Sequence, residues 1–137
     1  MVIGCAAVDI TAKLEQAHDV SLKSTHPGRL SLTLGGVGRN IAEAAHRVLS
    51  GSKKHADSIL LLAPVGDDVF GKLVVDLTRS VGMRTDGLLS VPGRRSAVCN
   101  LLLDAQGDLQ SGVADMDLPQ KWVGTEVKSA SSEWKLK

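Results

Sequence analysis

The chain has 137 residues, 43% of them hydrophobic, and carries 16 Lys and Arg against 15 Asp and Glu for a net charge of +1. That length suits one compact domain around a single core, and the apolar content argues against disorder throughout. The balanced charge leaves no basic face for nucleic acid, and one Phe, no Tyr and two Trp (Trp122 and Trp134, both in the tail) leave few platforms for base stacking.

Val2 to Ile10 is a mainly apolar run, as expected of a strand buried on both faces of a sheet, with Asp9 at its end before Ile10. Residues 11–34 hold shorter strand-like pieces. Among them Leu30 to Leu34 alternates strictly between apolar and polar side chains, the mark of a sheet with one dry and one wet face. Gly35-Gly36-Val37-Gly38-Arg39-Asn40 follows, with three glycines and an asparagine where a strand hands over to a helix. Glycine admits positive φ and close approach to the main chain, and the amide of Asn40 both donates and accepts hydrogen bonds. The same pattern suits a tight turn with a helix cap. Asn40 to Leu49 then predicts a helix with Ile41, Ala44, Ala45, Val48 and Leu49 on its buried face, stopped by Gly51.

Ile59 to Ala63 reads as a short buried strand ended by Pro64. Asp67 or Asp68 caps the next helix, whose stripe is Phe70, Leu73, Val74, Leu77 and Val81, with Gly82 as its stop. A metal-ion reading of the adjacent aspartates is rejected in favour of capping. This β–α–β–α order favours parallel strands packed against helices. From Leu88 onward the pattern turns to hairpins: a strand from Ser96 to Leu103, a turn over Asp104 to Asp108, and a return over Leu109 to Ala114. After Pro119 the sequence becomes polar and aperiodic, with at most one short helix from Ser132. The expected division is residues 1–118 and a divergent tail over 119–137.

Cys5 and Cys99 lie in apolar sequence without C-x-x-C spacing and read as small buried hydrophobes. His18, His26, His46 and His55 lack ligand spacing, so no metal site is expected; His46 reads as a half-exposed helix residue. No apolar run reaches the roughly 20 residues that span a bilayer. Nor does a basic stretch with a cleavage site follow Met1, so the expectations are no membrane partner and a cytoplasmic location.

Four ordered segments carry a resemblance to the PfkB carbohydrate kinase family. They are Val2 to Asp9, Gly35 to Ala42, Pro64-Val65-Gly66-Asp67-Asp68-Val69-Phe70-Gly71, and Ala114-Asp115-Met116-Asp117, the last most similar to the pseudouridine kinase branch. The resemblance implies an α/β, ribokinase-like partial domain: a parallel sheet with packed helices plus a small β lid. It implies substrate binding by Asp9, Gly35, Gly36 and Asn40. Ser96 and Asn100 from the lid strand, and Asp115 and Asp117 after it, are further candidates to hydrogen-bond a base or sugar. A solvated hairpin is the alternative for those four, and a solvated helix position for Arg39.

The family's D-T-x-G-A-G-D motif, which shapes an anion hole and supplies the general base, has no counterpart here. Thr85-Asp86-Gly87 lacks the Gly-Ala-Gly run. ATP and Mg²⁺ are therefore expected to serve a full-length parent, with neither bound strongly by this chain, and no catalytic residue is assigned. The resemblance also implies pairing of two copies through the lid. A Rossmann-type nucleotide binder is disfavoured, because G-G-x-G is not G-x-G-x-x-G and no acidic residue closes a second strand.

Overall fold

The computed structural model describes residues 1–15, 24–51 and 58–122. The apolar run at the start forms two strands, β1 (Val2–Ile3) and β2 (Ala7–Leu14), where one was expected. The break has a steric cause. Gly38 of the following helix comes so close that a Cβ on Gly4 would lie 2.9 Å from its Cα, and the chain turns there. The alternation of Asp9-Ile10-Thr11-Ala12-Lys13-Leu14 then marks β2 as a strand with two unlike faces.

Strand β3 (Gly28–Gly35) returns antiparallel to β2, pairing Val8 with Leu34 and Ala7 with Gly35. Helix α1 (Val37–Ser50) follows and stops at Gly51. It opens three residues before the expected start, and its buried face is not the expected one. Gly38, Arg39, Ala42 and His46 face inward, whereas Ile41 is 55% exposed and Val48 79%. Gly38 lets the start of the helix approach Gly4 closely, Arg39 and His46 bury polar side chains on the same face, and the larger apolar side chains Ile41 and Val48 lie outside.

Strand β4 (Leu61–Gly66) is buried along its whole length and runs through Pro64. The N–H of Ala63 donates to Gly87 O at 3.0 Å on the far side of β4, so the position that Pro64 leaves without a donor points the other way. There β1 pairs only with Leu61 and Leu62, and no ladder bond is lost. Asp68 caps helix α2 (Val69–Ser80), its carboxylate accepting from Gly71 N at 2.8 Å. Gly82 follows with φ 83°.

Strand β5 (Leu88–Val91) lies parallel to β4, completing a three-stranded sheet in the order β1-β4-β5. Strands β6 (Ala97–Leu103) and β7 (Leu109–Asp115) form the expected hairpin, whose turn is held by Asp104 accepting from the amides of Gly107 and Asp108. β6 also pairs in parallel with β2, which gives a second sheet in the order β3-β2-β6-β7. This is the lid. A short helix, α3 (Asp117–Lys121), spans the expected boundary at 118/119, and the expected helix from Ser132 falls outside the described residues. Val8, Ala42, Leu61, Ala63 and Val74 form the centre of the core where the two sheets and helices α1 and α2 meet.

Candidate functional site

Asp9 is the third residue of β2 and so belongs to the lid sheet, not to the end of the inner parallel sheet. Its carboxylate lies against the α-carbon of Gly35: a Cβ on Gly35 would meet Asp9 Oδ2 at 2.1 Å. Among the described residues no hydrogen bond or ion pair engages this carboxylate. Burial without compensation pushes the Asp9 carboxyl above the usual carboxylate range. A half-buried, unpaired carboxylate is costly to fold around and is ready to accept from donors on a ligand.

Gly36 follows at φ 91°, and a Cβ there would stand 2.6 Å from Cys5 O. Only glycine satisfies both demands, and this residue turns the chain from β3 into α1 beneath Asp9. The amide of Arg39 donates to Cys5 O at 3.1 Å and that of Asn40 to Gly36 O at 2.9 Å. The Asn40 side chain is exposed in the first turn of α1. Asp9, Gly35 and Gly36 are thus brought together, with Asn40 on the helix that they launch.

Arg39 is not solvated. It is 8% exposed, pairs with Glu43, and donates from Nη1 to Leu34 O at 3.4 Å. Its buried Nε has no partner among the described residues. Arg39 thereby ties α1 to the end of β3 beside Gly35, a role that its helix position alone did not signal. His46 is buried as well, within 3.2 Å of Ser50 Oγ, and Cys5 and Cys99 are partly exposed free thiols rather than buried ones.

The lid candidates lie elsewhere. Ser96 precedes β6, is 2% exposed, and has its hydroxyl fully engaged: it donates to Asp68 Oδ1 at 2.6 Å and accepts from Gly66 N at 2.9 Å. With Ser96 N donating to Asp68 Oδ2 at 2.9 Å, it locks the β4–α2 junction to the base of the lid. Burial raises the Asp68 carboxyl, but the bonds from Ser96 and the helix amides outweigh it and hold it below the usual range. Asp67 accepts from Gly93 N at 3.0 Å. The capping expectation for Asp68 is met.

Asn100 pairs with Ile10 and Val113, which puts it on the opposite face of the lid from Asp9. Asp115 accepts from Arg95 Nε at 2.8 Å; Asp117 pairs with Lys121 at 2.5 Å and Arg94 at 3.1 Å. Arg95 lowers the Asp115 carboxyl, and Lys121, ahead of Arg94, lowers that of Asp117. The structure therefore does not bring Ser96, Asn100, Asp115 or Asp117 to Asp9. Among the described residues no three or more His, Cys, Asp or Glu side chains are grouped to hold a metal ion, and no helix is long and apolar enough to cross a membrane.

Residues 1–120 match the family model for pfkB family carbohydrate kinases. The chain is 31% identical over 118 residues to pseudouridine kinase from Escherichia coli, an alignment that covers 86% of this chain and 35% of that protein. Among solved structures it superposes on a sugar kinase from Clostridium perfringens with a TM-score of 0.77 at 23% identity, covering 96% of this chain and 39% of the other. For ribokinase from Giardia lamblia the TM-score is 0.67 at 21% identity, covering 83% and 34%. The chain thus spans about a third of the length of these relatives, and its fold is the corresponding part of a ribokinase-like kinase. Sequence motif, lid architecture and family match agree: the chain belongs to the pfkB family of carbohydrate kinases.

Proposed function

We propose that these residues form the substrate-recognising part of an ATP-dependent kinase that phosphorylates the 5′-hydroxyl of pseudouridine or a related ribosyl compound. The observation that carries the reading is the Asp9 carboxylate, without a partner among the described residues and resting on Gly35 beside the opening of α1. Two vicinal hydroxyls donating to its two oxygens would supply the missing bonds. Asn40, exposed in the first turn of α1, would bond a third hydroxyl. The preference for pseudouridine rests on the relative from E. coli and on the Ala114 to Asp117 run.

Phosphoryl transfer in such kinases is mainly positioning and electrostatic stabilisation of the moving group. ATP and Mg²⁺ would supply the phosphoryl donor and neutralise its charge in a full-length parent. The 137 residues supply positioning only, since no D-T-x-G-A-G-D segment occurs among them. The purified chain with MgATP is expected to phosphorylate none of pseudouridine, ribose or adenosine. Turnover of any of them would overturn that assignment.

A second reading, favoured by one observation, is an interaction module that pairs with its own copy. The lid face turned away from Asp9 exposes Leu30 (74%), Leu32 (56%) and Val113 (73%), and among the described residues no strand pairs with the outer edge of β3 or β7. A light-scattering mass of two chains supports it; a monomer mass at every concentration refutes it.

A further inference from the structure

Arg39 breaks several local rules at once. It puts a cation in the first turn of α1, where the helix dipole favours anions and no acidic residue of that turn offsets it. It is 8% exposed, and its buried Nε has no partner among the described residues, an unmet donor that costs stability. It also stands four residues before Glu43, the weaker order for an ion pair along a helix. Glu43 is not left alone without it, because Arg47 bonds the same carboxylate from Nε at 2.7 Å and Nη2 at 2.5 Å. Stability therefore does not account for Arg39, and local rules are broken where function is served.

Its place in the chain supplies the account. Gly35, Gly36 and Gly38 put three glycines in four residues, a run with little conformational restraint of its own. Arg39 follows directly and closes that run from two sides. Its amide donates to Cys5 O at 3.1 Å, and Nη1 reaches back over the glycines to Leu34 O at 3.4 Å. Leu34 O belongs to the peptide that enters Gly35, the seat of the Asp9 carboxylate. Resting on the proposed cradle, we infer that Arg39 is a positioning residue, a brace that fixes the glycine run and the opening of α1 before a ligand arrives. It need not touch the ligand. It acts by sparing binding the cost of ordering a loose segment. The guanidinium suits the task, since its planar fork serves Leu34 O and Glu43 together, which the single ammonium of a lysine does less well.

The test compares wild type, Arg39→Met, Arg39→Lys and Asp9→Ala in the full chain. Each is read by thermal melt, by pseudouridine titration followed through amide shifts, and by ¹⁵N relaxation of the Gly35, Gly36 and Gly38 amides without ligand. Arg39→Met keeps an apolar stem and removes the fork, so its melt should match or exceed that of wild type. Its three glycine amides should loosen. If the binding-ready fraction then drops to about a tenth, affinity falls about tenfold. Arg39→Lys should fall between the two. Unchanged affinity or equally rigid glycine amides in Arg39→Met, with binding lost in Asp9→Ala, would overturn the brace and leave the cradle standing. A melt that falls in step with affinity, or loss of the fold, would make Arg39 structural only and overturn the brace as well. Binding indifferent to Asp9→Ala, or absent in wild type, would overturn cradle and brace together.

Discussion

Gly35 and Gly36 are neighbours with opposite predicted responses to a single methyl group. In Gly35→Ala the new Cβ lands on the Asp9 carboxylate, at 2.1 Å from Oδ2, and meets no backbone atom among its nearest contacts. The Asp9 side chain can rotate away at little cost, because no hydrogen bond from the described residues holds it. Replacing glycine in a conformation open to alanine also removes unfolded-state entropy, worth about 0.4–1 kcal/mol. Stability should therefore stay within about 1 kcal/mol of wild type. Binding should not. Displacing Asp9 forfeits one or two charge-assisted hydrogen bonds of about 1.5–3 kcal/mol each, so affinity for a ribosyl ligand should fall at least about tenfold. In Gly36→Ala the residue sits at φ 91° and the Cβ meets Cys5 O at 2.6 Å and Ala6 Cα at 2.9 Å, all backbone. Strain of about 1–3 kcal/mol and overpacking of similar size should add to about 2–6 kcal/mol. At roughly 4 °C per kcal/mol for a chain of this size, the melting temperature should drop by about 8–24 °C. Thermal melts and ligand titrations of both variants settle the matter. Unchanged binding in Gly35→Ala, or an unchanged melt in Gly36→Ala, would refute the packing argument.

Ser96→Ala should destabilise the chain by about 2–3 kcal/mol, because it strands the buried Gly66 N–H and removes one bond from Asp68; a change below about 0.5 kcal/mol in urea melts would contradict the lock described at the lid base. The two aspartates Asp9 and Asp68 should show opposite pH signs. Burial raises the Asp9 carboxyl, so its contribution is fully present below the unfolded value of about 3.9 and is lost as pH rises through the folded one. Asp68 is lowered overall, so its contribution is present above about 3.9 and is lost as pH falls through its folded value. Asp9→Asn should hence be more stable than wild type at pH 7, with the gap closing toward pH 3, whereas Asp68→Asn should be less stable at pH 7 with its gap also closing in acid. Urea melts at the two pH values check both, and a gap independent of pH counts against the assignment.

The parts of the fold legible in the sequence are those where local signals agree: Asp68 stands at the cap position of α2, and Gly107 marks the hairpin turn. The alternation of Leu30 to Leu34 does mark a strand, but the expected dry face is not there, since Leu30 and Leu32 are exposed. Helix α1 misleads because its apolar period marks the side that faces out. Period favours Ile41, Ala44 and Val48 for the core, while the packed side carries Gly38 and Ala42 together with Arg39 and His46, whose partners Leu34, Glu43 and Ser50 engage them there. The division of the first strand is a tertiary effect, set by contact between Gly4 and Gly38, which are 34 positions apart; the later alternation through Leu14 was the available clue. At the site, the cluster of Asp9 with Gly35 and Gly36 follows from motif residues. The roles of Ser96, Asp115 and Asp117 depend on partners distant in sequence, namely Asp68, Arg95 and Arg94, which no local pattern announces.

Asp9 is proposed as the carboxylate of a sugar cradle built with Gly35, Gly36 and Asn40. Titrating the ¹⁵N-labelled chain with pseudouridine measures it directly, at millimolar ligand if the affinity is weak. Amide shifts should cluster at Asp9 and Gly35 to Asn40 in wild type and be lost in an Asp9→Ala variant that keeps the wild-type spectrum elsewhere. Shifts confined to other regions, or shifts at the cradle that persist in a folded Asp9→Ala variant, would contradict it.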